Sequence, residues 1–171
     1  MTVSKFVRSA ALGTALVSAA ITGSALAGTA TGSLTVNATV LKVCLISNGT
    51  LNFGNYDPTA ATALNGSTTV TLTCTPGSTY NIGMGVGSGT GATTALRQMT
   101  LGGGSATLGY ELFQDSGYSV AWGTTISSNT EAGTTSASSL TNTINVYGQI
   151  PANEVAAAGS YADSVTMTVT Y

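Results

Sequence analysis

Apolar residues in this chain recur at every second position, and that period decides what it can fold into. In TGSLTVNATV (residues 31–40) Leu34, Val36, Ala38 and Val40 share one parity, and Thr31, Ser33, Thr35, Asn37 and Thr39 the other. The alternation returns in STTVTLTC (67–74) through Val70, Leu72 and Cys74, and in TYNIGM (79–84) through Tyr80, Ile82 and Met84. ATLGYELF (106–113) carries it on Leu108, Tyr110 and Leu112, and TINVYGQI (143–150) reads as a further strand. YADSVTMTVTY (161–171) sets Val165, Met167, Val169 and Tyr171 against Thr166, Thr168 and Thr170. A period of two places successive side chains on opposite faces of a strand, which an α-helix cannot do. Only VAAA (155–158) is compatible with a helical turn.

Between these segments LNF (51–53) and SVAWG (119–123) read as short strands. The parity slips where Leu41, Val43 and Leu45 flank Lys42 and Cys44, as at a bulge or the junction of two strands. Asn48-Gly49, Asp57-Pro58, Asn65-Gly66 and Pro76-Gly77 mark turns, and the Gly-rich stretch to about residue 104 and the polar residues 127–139 read as loops. Short strands divided by turn residues predict an all-β sandwich. The final alternating segment runs to Tyr171, so no later strand is expected to cover its edge. An uncovered apolar edge is an aggregation hazard that proteins normally manage.

The N-terminus has the pattern of a secretory signal peptide over residues 1–27. Lys5 and Arg8 supply the positive region, AALGTALVSAAI (10–21) the apolar core and Ala25-Leu26-Ala27 the small-x-small site. Cleavage before Gly28 would leave 144 of the 171 residues, with Lys42 and Arg97 against Asp57, Glu111, Asp115, Glu131, Glu154 and Asp163, a net charge of −4. Neither the basic footprint that binds nucleic acid nor a polybasic membrane patch is available. No segment has the length and apolarity of a membrane span, so no direct membrane insertion is expected. A hydrophobic content of 43% with low net charge places the chain on the folded side. In an exported chain Cys44 and Cys74 are expected to form a disulfide, which would close a loop of about 30 residues and stabilise by roughly 3–4 kcal/mol; two buried free thiols are the alternative.

A search for catalytic chemistry finds little. The sequence has no histidine, which removes the usual general base and the triads and zinc sites built on it. Gly87-Ser88-Gly89-Thr90-Gly91-Ala92 fits the loose dinucleotide fingerprint, but no amphipathic helix follows, and a flexible or bulged loop is the expected reading. Glu111 with Asp115, or Glu154 with Asp163, are the carboxylate pairs that glycoside hydrolysis would need, yet six acids on a sparsely charged surface require no such role. Asn37-Ala38-Thr39, Asn48-Gly49-Thr50 and Asn65-Gly66-Ser67 match the short glycosylation sequon. Trp122 and the tyrosines are candidates for a sugar-binding surface or for core. No enzyme and no cofactor are expected.

The ordered set of short motifs resembles the spore coat protein U domain family, which includes subunits of archaic chaperone–usher pili. The residues that carry the resemblance are the alternating segment before Cys44, Leu51-Asn52-Phe53-Gly54, Cys74 ending a strand, Tyr110-Glu111-Leu112-Phe113 and Trp122-Gly123. Val146-Tyr147-Gly148-Gln149-Ile150-Pro151, Gly159-Ser160-Tyr161-x-Asp163 and Val169-Thr170-Tyr171 complete it. The resemblance implies an immunoglobulin-like sandwich lacking its final strand, completed by a donor strand from a neighbouring subunit. Residues 28–40 would be the donor segment and residues 41–171 the pilin-like domain. Leu34, Val36, Ala38 and Val40 would be the donor side chains, and Val165, Met167, Val169 and Tyr171 the acceptor strand, held first by a periplasmic chaperone and then by the next copy at an outer-membrane usher. The product would be a fibre or coat on the cell surface, reached through the periplasm, with adhesion and biofilm formation as the inferred roles. Residues 31–40 as an ordinary first strand is the alternative for the segment. A self-assembling secreted coat protein or a carbohydrate-binding module are the alternatives for the whole chain. A tip adhesin would need an extra binding domain, which the length does not accommodate.

Overall fold

The computed structural model describes residues 27–171, so the expected leader, except Ala27, lies outside the described residues. The chain divides into two units, Met1–Ala38 and Thr39–Tyr171. In the described part of the first, residues 27–38, every residue is exposed and none belongs to a strand. Leu34 and Val36 are 88% and 81% exposed. The alternation of residues 31–40 is therefore not that of a laddered strand in this chain.

The second unit is all-β. Among the described residues nine strands form two antiparallel sheets: β1 (Cys44–Ile46), β2 (Leu64–Cys74), β3 (Thr79–Met84), β4 (Arg97–Leu101), β5 (Thr107–Phe113), β6 (Glu131–Thr134), β7 (Thr141–Ile150), β8 (Tyr161–Ala162) and β9 (Met167–Thr170). The larger sheet runs β1-β2-β7-β5-β4-β8, and the smaller β6-β3-β9. Leu72, Ile144 and Val146 of the larger sheet meet Tyr80, Ile82 and Met84 of the smaller one in a single core. Trp122 is fully buried there, its indole N–H donating to the Ile82 carbonyl at 2.8 Å; it is core, not a sugar-binding surface. Cys44 and Cys74 are cross-strand partners of β1 and β2 and are joined by a disulfide, with Cα atoms 4.1 Å apart.

Five expectations are corrected. The Gly-rich stretch contains β4, and the polar loop of residues 127–139 contains β6. Residues 155–158 form no helical turn. Residues 119–123 contribute only an isolated bridge, Phe113↔Ala121, folding back along β5 instead of crossing as a strand of their own. Residues 161–171 are split in two: β8 pairs with β4 in the larger sheet, and β9 pairs with β3 in the smaller one. The alternation survives the split because the chain stays extended while it changes sheets, so the odd-numbered side chains from Tyr161 to Val169 stay half-buried.

The expected strand at residues 51–53 has the exposure pattern of a strand, with Leu51 and Phe53 half-buried and Asn52 exposed, but it joins no ladder. What holds it is a trough in the larger sheet. Gly66 of β2 and Gly148 of β7 are cross-strand partners. A Cβ at Gly148 would stand 2.8 Å from the Phe53 ring and 3.0 Å from Leu51, and one at Gly66 3.2 Å from Phe53. The glycine pair is thus a steric seat, and both side chains lie in it.

Candidate functional site

Beside that trough the core is open. A cavity of about 400 Å³ is walled on one side by Leu51 and Phe53 and on the other by Tyr161, Asp163, Val165 and Met167, over a floor that includes Val70, Leu112 and Val146. It adjoins a second cavity of about 640 Å³, lined by Tyr56, Pro58, Leu108 and residues 156–161, with Leu51, Phe53, Met99 and Tyr161 common to both. Together they make one groove, apolar where Leu51, Phe53, Met99, Val165 and Met167 line it and more polar toward Asn55, Tyr56 and Ser160. β1 and β9 are edge strands of the two sheets and lie near each other, yet no ladder joins them. Among the described residues β9 pairs only with β3, leaving donors and acceptors on its other side for a partner strand.

Of the acceptor residues expected from sequence, Val165 and Met167 line the groove. Val169 packs against the core as the partner of Ile82, and Tyr171 is 51% exposed and outside the groove. The expected donor residues Leu34, Val36, Ala38 and Val40 are all exposed and in no strand. The opposite wall, Leu51 and Phe53, was not anticipated as such. Its signal was the strand-like pattern of LNF with no obvious strand beside it in sequence.

One acid interrupts the apolar parity of residues 161–169, and it fixes the corner where the chain changes sheets. Asp163 accepts hydrogen bonds from the Tyr110 hydroxyl at 2.6 Å, the Ser88 N–H at 2.6 Å, the Ser88 hydroxyl at 2.7 Å and the Ser164 N–H at 2.7 Å. Burial works to raise its pKa, but the bonds from Tyr110 and Ser88 outweigh it and hold the carboxyl below its ordinary value of 3.8. Burial, and then the bond to Asp163, push the Tyr110 phenol well above its usual range. Gly87 has φ +89°, and any Cβ there would collide with the Asp163 carboxylate. Gly87 and Ser88 are therefore a cradle for Asp163, and Gly89 is required separately because a Cβ there would collide with the Gln98 carbonyl, so both glycines are explained without a nucleotide. Asp115 is likewise occupied, accepting from the N–H groups of Ser119 at 3.0 Å and Val120 at 2.7 Å. Among the described residues no group of three or more His, Cys, Asp or Glu side chains is placed to hold a metal ion.

Because the folded Asp163 carboxyl is depressed, its contribution is complete above the unfolded value and is lost as pH falls through the lower folded one. Asp163→Asn should cost roughly 1–3 kcal/mol at neutral pH through weakened bonds at the corner. It should also shrink the loss of stability between neutral pH and about pH 3 relative to the unsubstituted chain. Thermal denaturation of both proteins across that range measures this, and identical pH profiles would remove Asp163 from the account.

The Spore Coat Protein U domain model matches residues 30–168. Protein U of Myxococcus xanthus is 32% identical over 158 residues, covering 85% of this chain and 87% of that protein. Among solved structures, the chaperone–tip adhesion subunit pre-assembly complex CsuC–CsuE, from archaic chaperone–usher Csu pili of Acinetobacter baumannii, superposes with a TM-score of 0.55 at 20% identity. That match covers 78% of this chain and 40% of the other, and what it shares is the fold.

Proposed function

The chain belongs to the Spore Coat Protein U domain family, and from that premise we propose that it is a structural subunit of an extracellular pilus or coat that polymerises by donor-strand exchange. The observation that carries this reading is a pair of complementary features. Residues 31–40 have strand periodicity and no ladder, and the groove beside β9 has apolar walls and an unpaired strand edge. Leu34, Val36, Ala38 and Val40 of one copy would enter the groove of the next, with main-chain bonds supplying affinity and alternate side chains the fit. Burial of the three larger donor side chains is worth on the order of 5–8 kcal/mol. Before assembly a periplasmic chaperone would occupy the groove, and an outer-membrane usher would exchange chaperone for donor. Adhesion and biofilm formation follow as roles of the fibre. A coat assembled without an usher would use the same strand and groove, and the family's description as a spore coat domain supports keeping that version.

Electron microscopy of material sheared from producing cells, with and without the gene, tests the proposal. Fibres or a layered coat that disappear with the gene and return with it are the expected result. Recovery of the protein only as a stable monomer, with no polymer in either sample, would overturn it.

A further inference from the structure

The smaller sheet has a second edge, β6, and the recess beside it has the opposite character to the groove beside β9. Over residues 141–145 strand β7 pairs with β2 on one side, whereas β5 pairs with β7 only at Tyr147, Gly148 and Gln149. Past Phe113 the β5 chain turns away, and a cavity of about 390 Å³ opens between Gln114, Tyr80, Glu131 and residues 141–145. Apart from Ile144 its lining offers hydroxyls, carboxamides and one carboxylate, with no lysine or arginine.

Four side chains show that the polar groups are presented to the recess. The Gln114 side-chain nitrogen is buried and has no hydrogen-bond partner, an uncommon state for a buried donor. The Tyr80 phenol is held at the wall because Gly133 opposite it has no side chain: a Cβ there would stand 2.5 Å from the hydroxyl. Asn142 reaches that hydroxyl only at 3.5 Å, which leaves most of its bonding capacity free. Glu131 is half-buried, and burial pushes its carboxyl up.

We propose that this recess binds a neutral hexopyranose unit of a glycan. A sugar ring offers closely spaced hydroxyls that both donate and accept, which matches carboxamides, a carboxylate acceptor and threonine hydroxyls in one small cavity. The unpaired buried donor of Gln114 gains an acceptor, and Glu131 accepts a charge-assisted bond from a sugar hydroxyl. An anionic ligand is excluded by Glu131 and by the absence of any basic residue in the lining. An apolar peptide strand is disfavoured because the recess offers no apolar pockets for alternate side chains. No exposed aromatic plate is required, so affinity rests on hydrogen bonds. The site belongs to the edge opposite β9 and is independent of strand exchange.

The test titrates the purified full chain with methyl glucopyranoside, methyl galactopyranoside, methyl mannopyranoside and methyl glucuronate by ligand-observed NMR. Saturable binding of at least one neutral glycoside is expected, with the glucuronate at least about tenfold weaker than the glucopyranoside through charge repulsion at Glu131. Glu131→Gln and Gln114→Leu should each weaken the neutral glycoside about tenfold, with circular dichroism unchanged. If either variant fails to fold, Asn145→Ala, at an exposed position of the lining, carries the same prediction. No saturable binding of any neutral glycoside, tighter binding of the glucuronate, or full affinity in the folded variants would overturn the proposal.

Discussion

Arg97→Met is expected to destabilise the domain by about 3–5 kcal/mol, more than the loss of most core side chains, because the guanidinium joins elements that otherwise meet only through apolar contacts. Arg97 is fully buried on β4. It donates from Nε to the Gly85 carbonyl at 2.8 Å, from Nη1 to Thr94 at 2.9 Å, and from Nη2 to Met84 at 2.9 Å and Trp122 at 2.7 Å. Those carbonyls belong to the end of β3, to the loop leading into β4 and to the segment folded along β5, so one side chain ties the two sheets and a loop together. Burial draws its pKa down, while Tyr110 and Asp163 act the other way and favour the charged form. Methionine matches the length but leaves four carbonyls without this donor, those of Met84 and Trp122 in buried bonds and those of Gly85 and Thr94 in part-buried ones, and unsatisfied buried groups are costly. Lysine keeps the charge yet carries its donors on one nitrogen, which cannot serve carbonyls spread around a planar fork. It should rescue only a small part of the loss. Denaturant unfolding followed by the fluorescence of Trp122, the chain's one tryptophan, measures both variants. A wild-type midpoint for Arg97→Met, or full rescue by lysine, would show that the fork is dispensable.

The same residue explains where sequence periodicity misleads. Arg97, Met99 and Leu101 share a parity, but a cation in a core position and the surrounding glycines hide β4 within a stretch that reads as loop. β6 is hidden differently: EAGT has no apolar face, and its glycine is demanded by the Tyr80 phenol across the ladder, which no local pattern announces. Strands β2, β3, β5 and β7 were legible because one face of each is buried by the opposite sheet, the condition that alternation reports. The disulfide was legible from compartment and cysteine count. The groove was legible only in part. Val165 and Met167 announce themselves by parity, whereas the wall formed by Leu51 and Phe53 depends on a glycine pair almost 100 residues further along for one member and on β2 for the other. Asp163 looked like half of a carboxylate pair, and only the fold brings Ser88 and Tyr110 to it. For residues 31–40 alternation reports fitness to be half-buried, and it carries no information about which chain supplies the other half.

That last ambiguity sets up the largest expected effect. A chain in which residues 28–40 are deleted and residues 30–40 are appended after Tyr171 through a short Gly/Ser linker should fold as a monomer that does not polymerise. It should be more stable than the chaperone-released subunit by roughly 5–8 kcal/mol, the burial estimate for Leu34, Val36 and Val40. A short connection permits the appended segment to run antiparallel to β9, whose outer edge has no partner among the described strands. Tethering raises the donor's effective concentration to about millimolar, so capping within the chain should prevail over exchange between chains. The groove then imposes a parity requirement. Val36→Asp in the appended copy places a charge against Val165, Met167 and the apolar floor, and should abolish the gain. Thr35→Asp, on the outward parity, should be tolerated. Size-exclusion chromatography and denaturant unfolding distinguish the outcomes. Equal damage from both substitutions would mean that the segment is not read by alternate pockets. Absence of any stabilisation by the appended strand would mean that the groove beside β9 takes some other partner than residues 31–40.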